Sequence, residues 1–265
     1  MSQQSNINAL FHAANQEGVL SPASLQTLIN IPDMGANIQA ALGVSVDDVH
    51  ASEAILVTLM PDDSGSIRFA SNAQAVRDGH NLVVDALVDS KQDSGVLMHT
   101  RYLNGYILYP YSALGQVVKM TPQNYDPRLG TPLYDQTVVL LGTVLAKAQE
   151  FSDNGVPVRT VTLIITDGAD EHSQHSTARN VASIVNDMLR TEQHIVAAMG
   201  IDDGGHTNYR KVFQEMGIRD EWILTPGNSA SEVRKAFGTF SKSAVRASQS
   251  AASFSQTVVG GFGTP

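Results

Sequence analysis

The chain has 265 residues, enough for one large core, and its 42% hydrophobic content is that of an ordinary globular protein. Twenty-six acidic against 17 basic residues leave a net charge of −9 with no basic block, which argues against nucleic acid as a partner. The absence of cysteine removes disulfides, thiolate metal sites and cysteine nucleophiles; with no leader-like start in MSQQSNINAL and no apolar run of membrane length, a cytoplasmic, non-membrane protein is expected.

Residues 1–50 form an N-terminal helical extension: SNINALFHAANQ and SPASLQTLINI carry helical spacing, and Ser21 before Pro22 reads as an N-cap with proline in the first turn. From 51 to 247 apolar strand-like runs alternate with helix-length stretches. The strand Ala54 to Met60 is followed by a helix over Asn72 to Ser90. Strands Gly95 to Tyr102 and Tyr106 to Tyr111 meet at Asn104-Gly105, which predicts a hairpin with a type I′ turn. A helix over Pro132 to Ser152, the strand Arg159 to Thr166, a helix over Thr177 to Leu189 and the strand His194 to Gly200 continue the alternation. The segments Tyr209 to Met216, Trp222 to Thr225 and Ser229 to Ala247 complete it, and residues 248–265 read as a flexible Ser/Gly-rich tail. The expected architecture is α/β: a Rossmann-like, doubly wound, mostly parallel sheet of about six strands with one antiparallel edge strand.

Ligands of such sheets bind beyond the carboxyl ends of the strands. Asp62, Asp167 and the loop Asp202 to His206 each follow a predicted strand, and Thr131 precedes a helix, so all are expected to face one end. In Asp62-Asp63-Ser64-Gly65-Ser66 an extended backbone turns Asp62, Ser64 and Ser66 the same way, giving one carboxylate and two hydroxyls to a common point. Oxygen-only ligands suit Mg2+ better than zinc, and its preference for about six ligands leaves at least one position for water. The plainer reading is a strand-to-helix turn in which Ser64 or Ser66 caps the next helix. An inward-facing Asp63 would move selectivity towards Ca2+ or Mn2+; an outward-facing one would only add surface charge.

The spacing D-x-S-x-S after the first strand, Thr131 in a later loop and Asp167 after a central strand resembles the metal-ion-dependent adhesion site of von Willebrand factor A (vWA) domains. The resemblance covers about Ser52 to Ala247. It implies that Asp62, Ser64, Ser66, Thr131 and Asp167 ligate the metal, and that an Asp or Glu of a partner protein fills the remaining position. The chain departs from the family at Pro61, Asp63 and Ile67. On this reading it is a non-enzymatic protein-binding module. The run Phe237 to Val245, with the serine-rich sequence after it, is similar to the ending of vWA proteins encoded with tellurite-resistance systems, which implies an adaptor in a bacterial stress or ATPase-linked assembly. The alternative is a magnesium-dependent phosphohydrolase, but haloacid-dehalogenase-like enzymes need a second Asp where this chain has Ser64. His172 and His175 read as exposed loop imidazoles, His206 as a helix-start residue, and Tyr102, Tyr106, Tyr109 and Tyr111 as strand residues of which some reach the surface.

Overall fold

The computed structural model describes residues 3–90, 95–202, 204–249 and 261–262. Three helices come first, α1 (Gln3–Gln16), α2 (Pro22–Asn30) and α3 (Met34–Leu42). The sheet is then built from β1 (Ala54–Pro61), β2 (Val96–Arg101), β3 (Ile107–Ala113), β4 (Val158–Thr166), β5 (His194–Gly200) and β6 (Ile223–Leu224). Between them lie α4 (Gly65–Phe69), α5 (Ala73–Asp89), α6 (Leu133–Asp153), α7 (Ala178–Arg190) and α8 (Tyr209–Glu215), with α9 (Ala230–Gln249) last. The strand order is β3-β2-β1-β4-β5-β6, parallel throughout except for β3. Every residue of β1, β2 and β5 is buried, because helices cover both faces; this is why these strands read as apolar runs rather than alternating ones. Helix α5 pairs with α9 and α6 with α7, while α1 to α3 lie over α6 and α7. Phe11, Leu28, Met34 and Ile38 of the first three helices belong to the same core as the sheet. Among the described residues no helix is long and apolar enough to cross a membrane.

Ser21 caps α2 as expected, its hydroxyl accepting from Ser24 N, and its own amide donates to Asp187 Oδ2 on α7 at 2.7 Å. Helix α3 was not expected. It starts after Asp33 in a left-handed conformation (φ 53°), without the usual side-chain cap, and stops at Gly43 (φ 61°). Gly43 is obligatory there, since a Cβ would lie 2.0 Å from Tyr111 O. The next amide, Val44 N, donates to that carbonyl at 2.9 Å, along the outer edge of β3, which also contains Pro110. The buried Lys147 of α6 donates to Val44 O and to Glu150 Oε2, fastening the same segment to α6.

The hairpin differs from its expected turn. Gly105 has φ 91°, but Asn104 does not have positive φ; Gly105 N bonds Tyr102 O at 2.8 Å and Tyr102 N bonds Tyr106 O at 2.7 Å. The connection is thus a three-residue loop, Leu103-Asn104-Gly105, of the type I turn plus left-handed glycine kind rather than a two-residue type I′ turn. Strand β3 begins after Tyr106 and runs on to Ala113, and β6 is only two residues long because Trp222 sits in a preceding 3-10 turn. Extended backbone ends at Ser64, not beyond Ser66 as expected: Gly65–Phe69 is a separate short helix, α4, broken from α5 at Ser71 (φ 60°), and Ser66 sits in its first turn. Of the expected tail, residues 248–249 are the end of α9, and Gly261 and Phe262 are also described: Phe262 packs edge-on against Trp222 at 5.2 Å, and its amide donates to Glu221 O. Residues 250–260 and 263–265 of that expectation lie outside the described residues.

Polar side chains also run through the interior of the sheet. Thr58 of β1 is level with His99 of β2 and Thr162 of β4, and its hydroxyl meets Tyr111 OH at 2.6 Å. His99 Nδ1 donates to Tyr109 O at 2.8 Å, whereas His99 Nε2 and Thr162 Oγ1 have no partner among the described residues. Burial first, and then the charge of Arg101, push His99 down to about 3, so its ring is neutral.

Candidate metal centre

Strands β1 and β4 are neighbours at the middle of the sheet, and the chain leaves them towards opposite edges, which opens a crevice at their carboxyl ends. Asp62 follows β1 and Asp167 follows β4. The register that pairs Pro61 with Ile165 sets Asp62 beside Thr166, whose hydroxyl donates to Asp62 Oδ2 at 2.6 Å. Asp62 Oδ1 accepts Ser64 N at 2.7 Å. Ser64 Oγ lies 2.9 Å from Ser66 Oγ, and Ser66 Oγ donates to Asp167 Oδ1 at 2.5 Å. Thr131 sits against Gly168, where a Cβ would come within 3.7 Å of its Oγ1. Ser64, Ser66, Thr131 and Asp167 line one open cleft of about 410 Å³, and Asp62 lies behind it with no exposed surface. The five expected residues are therefore brought together, four at the surface of the cleft and one beneath.

The helix-cap reading can be tested directly. Ser64 occupies the N-cap position of α4 with suitable backbone angles (φ −73°, ψ 162°), yet its side chain makes no capping bond. Its hydroxyl turns instead to Ser66, and so towards Asp167. A cap would have used that oxygen to satisfy an amide of the first turn.

Asp63 takes neither of its expected orientations. It is buried, and its Oδ1 accepts Asn104 N and Asn104 Nδ2, each at 2.9 Å. Asn104 Nδ2 also donates to Gly130 O at 2.7 Å, and Asp63 O accepts the amides of Arg128 and Leu129. This pair ties the end of β1, the hairpin loop and the Thr131 loop into one bracket. Two buried tyrosines hold the main chain of the site: Tyr125 OH donates to Asp62 O, and Tyr209 OH donates to Asp167 O at 2.5 Å. His172 is at the rim, with Nδ1 accepting Thr131 N at 2.9 Å. Asn104, Tyr125, Thr166, His172 and Tyr209 were missed by sequence reasoning. Only Thr166 carried a usable signal, its parity with Asp62 across adjacent strands.

Burial raises the carboxyl pKa of Asp62, against the opposing pull of its bonds from Ser64 and Thr166; burial raises that of Asp63 in the same way, opposed by Asn104. Among the described residues no Lys, Arg or His forms an ion pair with either. Buried acid without a protein cation, beside hydroxyl oxygens and an open cleft, fits a hard divalent ion. The described residues hold no group of three or more His, Cys, Asp or Glu arranged to hold a metal ion among themselves, so the donor set here is two carboxylates with hydroxyls rather than nitrogen or sulfur. His172 and His175 are exposed, as expected. The loop after β5 faces the same end as expected, with Gly205 and Thr207 lining the cleft and Asp202 turned to Gly204 N; the departure is that α8 starts at Tyr209 with Asn208 as its cap, not at His206. Of the hairpin tyrosines only Tyr106 is exposed.

Strand order, the single antiparallel edge strand and the position of the cleft together define the α/β fold of vWA domains. Solved structures with that fold include the pilus adhesin SpaC of Lactobacillus rhamnosus GG, 15% identical over 73% of this chain with a TM-score of 0.53. The vWF domain of the type V pili tip protein Mfa5 of Porphyromonas gingivalis is 9% identical over 76% of this chain and 98% of its own, with a TM-score of 0.52. The match spans only 30% of the adhesin's length. No protein-family model matches the chain, and no curated protein is similar to it in sequence.

Proposed function

We propose that the chain is a non-enzymatic, metal-dependent binding module of the vWA family that docks an acidic side chain of a partner protein. The observation that carries this reading is the run of oxygens Ser64 Oγ, Ser66 Oγ and Asp167 Oδ1, in which the hydroxyl placed to cap α4 is turned into the cleft instead. Asp62, Ser64, Ser66, Thr131 and Asp167 would hold the ion, with Mg2+ favoured and Mn2+ or Ca2+ as alternatives. When bound, the ion supplies a coordination position that a carboxylate from another molecule can occupy. Asp62 provides buried negative charge, Thr166 and the Ser64 amide fix its two oxygens, and Tyr125 and Tyr209 fix the main chain that carries the two acids.

A binding role is in keeping with the solved relatives, which are named as a pilus adhesin and a pilus tip protein. The similarity of the Phe237 to Val245 stretch to vWA proteins of tellurite-resistance systems supports the adaptor part of the proposal, a bacterial stress or ATPase-linked assembly, and a cytoplasmic location belongs with it. Isothermal titration with MgCl2 tests the centre: wild type is expected to bind and Asp62→Ala to fail, and equal affinity would sink the proposal. Co-purification with and without chelator tests the docking, since a partner kept equally well in chelator does not depend on the metal.

A further inference from the structure

One side of the cleft is apolar and exposed. Phe69 is 88% and Leu129 57% exposed, and both line the cleft beside Ser64 and Ser66. Their adjacency is set by the main chain. Gly65 N donates to Leu129 O at 3.0 Å, and Ser64 and Leu129 form an isolated parallel bridge. The Phe69 ring lies 3.6 Å from where a Gly65 Cβ would stand. Gly65 therefore joins two apolar side chains on one flank to two hydroxyls in its own sequence neighbours. The core does not need either side chain, because Ile67 is the buried residue of α4. Glu171 and His172 add polar groups to the same cleft, His172 beside Gly130 and Thr131. Next to the apolar pair stand the exposed Arg68 and Arg128; Arg128 is paired with Asp126, and Arg68 forms no ion pair among the described residues.

We propose that the partner's acidic side chain belongs to a segment carrying a large apolar residue beside the acid, and that this residue covers Phe69 and Leu129 while the carboxylate enters the cleft. The proposal rests on the metal-docking reading and deepens it by naming the partner's local chemistry. A polar flank would leave Phe69 and Leu129 in water, so the surface favours an apolar neighbour. Arg68 and Arg128 outnumber the nearby Asp126 on this rim, in a chain of net charge −9, which adds a preference for further acid in the same segment.

The test uses a displayed library of short random peptides with one fixed Asp or Glu, selected on the full chain in Mg2+ and eluted with EDTA. Large apolar residues are expected to be enriched within one or two positions of the fixed acid. The selected peptides are expected to bind the double variant Phe69→Ser, Leu129→Ser about tenfold more weakly or worse. Titration of the same variant with MgCl2 is expected to give wild-type affinity, which separates loss of the shelf from loss of fold or metal. EDTA-sensitive peptides with polar flanks, or with equal affinity for the double variant, would overturn the apolar shelf and leave metal docking standing. Selection of no EDTA-sensitive peptide, or equal binding to Asp62→Ala, would overturn both. Self-association of the chain in Mg2+ that the double variant abolishes would overturn the partner segment in favour of a second copy of this chain.

Discussion

The sheet buries polar groups in two places and treats them in opposite ways. In its interior, Thr58, His99 and Thr162 are level with one another, and burial keeps His99 and His194 of the sheet and His80 of α5, packed on β2 and β3, neutral, their pKa values lowered to about 3, 4 and 4. At the carboxyl ends of β1 and β4, by contrast, acids are gathered: Asp62, Asp63 and Asp167 are all buried. The interior row uses hydroxyls and uncharged rings, which need only hydrogen bonds. The loop cluster concentrates carboxyl groups, whose anionic form in a buried place calls for a compensating cation. On the proposed function, the cluster is the place where the fold gives up stability for binding.

Acid should affect the two regions with opposite sign, and this is the largest expected effect. The unfolded chain binds more protons than the folded one between the lowered histidine values and the ordinary 6.5. The histidine contribution is therefore complete above about pH 6.5 and is lost as pH falls towards about 4, on the order of 5 kcal/mol in total by pH 5. Asp62 and Asp63, raised above 3.8, contribute stability at acid pH that is lost as pH rises through their folded values. Urea midpoints measured from pH 7 to pH 5 should fall in the variant Asp62→Asn, Asp63→Asn, which lacks the opposing carboxyls; a flat profile there would mean that the rings are not neutral in the fold.

Asp62→Ala is expected next, with Mg2+ affinity down by about 100-fold or more in calorimetry. The near-isosteric Asp62→Asn sharpens the contrast. It should lose the metal yet raise the melting temperature of the metal-free protein, by removing about 1–2 kcal/mol of unpaired buried charge. A metal-free variant less stable than wild type would break the comparison.

Asn104→Ala removes the side-chain donor that joins the buried Asp63 to Gly130 O and leaves the backbone amide bond to Asp63 in place. The expected cost is about 2–3 kcal/mol in denaturant unfolding, with Mg2+ affinity down about tenfold because the Thr131 loop loses its tie. The smallest effect belongs to the interior: Tyr111→Phe deletes the bond to Thr58 and should cost about 1 kcal/mol without changing metal affinity.

Much of this arrangement was legible in the sequence because its signals are local. Strands buried on both faces show as apolar runs, and Asp62, Ser64 and Ser66 lie within five residues of one another, Ser66 in the first turn of α4. The supporting contacts were not legible. Asn104 read as a turn residue, and its tie to Asp63 spans 41 positions; Tyr125 and Tyr209 reach the site over 63 and 42. No periodicity reports such pairs. Helix α3 escaped for a different reason, since its start at Asp33 lacks the side-chain cap that announces a helix. The Asn-Gly pair identified the hairpin correctly but misjudged its loop, because the backbone and side-chain donors of Asn104 serve Asp63 and only Gly105 takes positive φ.

The Val44 amide seated on Tyr111 O has a consequence for colloidal behaviour. An outermost strand with free backbone groups is a template for fibril growth, and here that row is interrupted by Pro110, which lacks a donor, and by Val44, which takes up an acceptor. The segment that Lys147 fastens in place thus works as a fence. A chain cut after Val44 would open the outer strand to its neighbours and should thicken into β-rich aggregate at concentrations where the intact protein stays in solution.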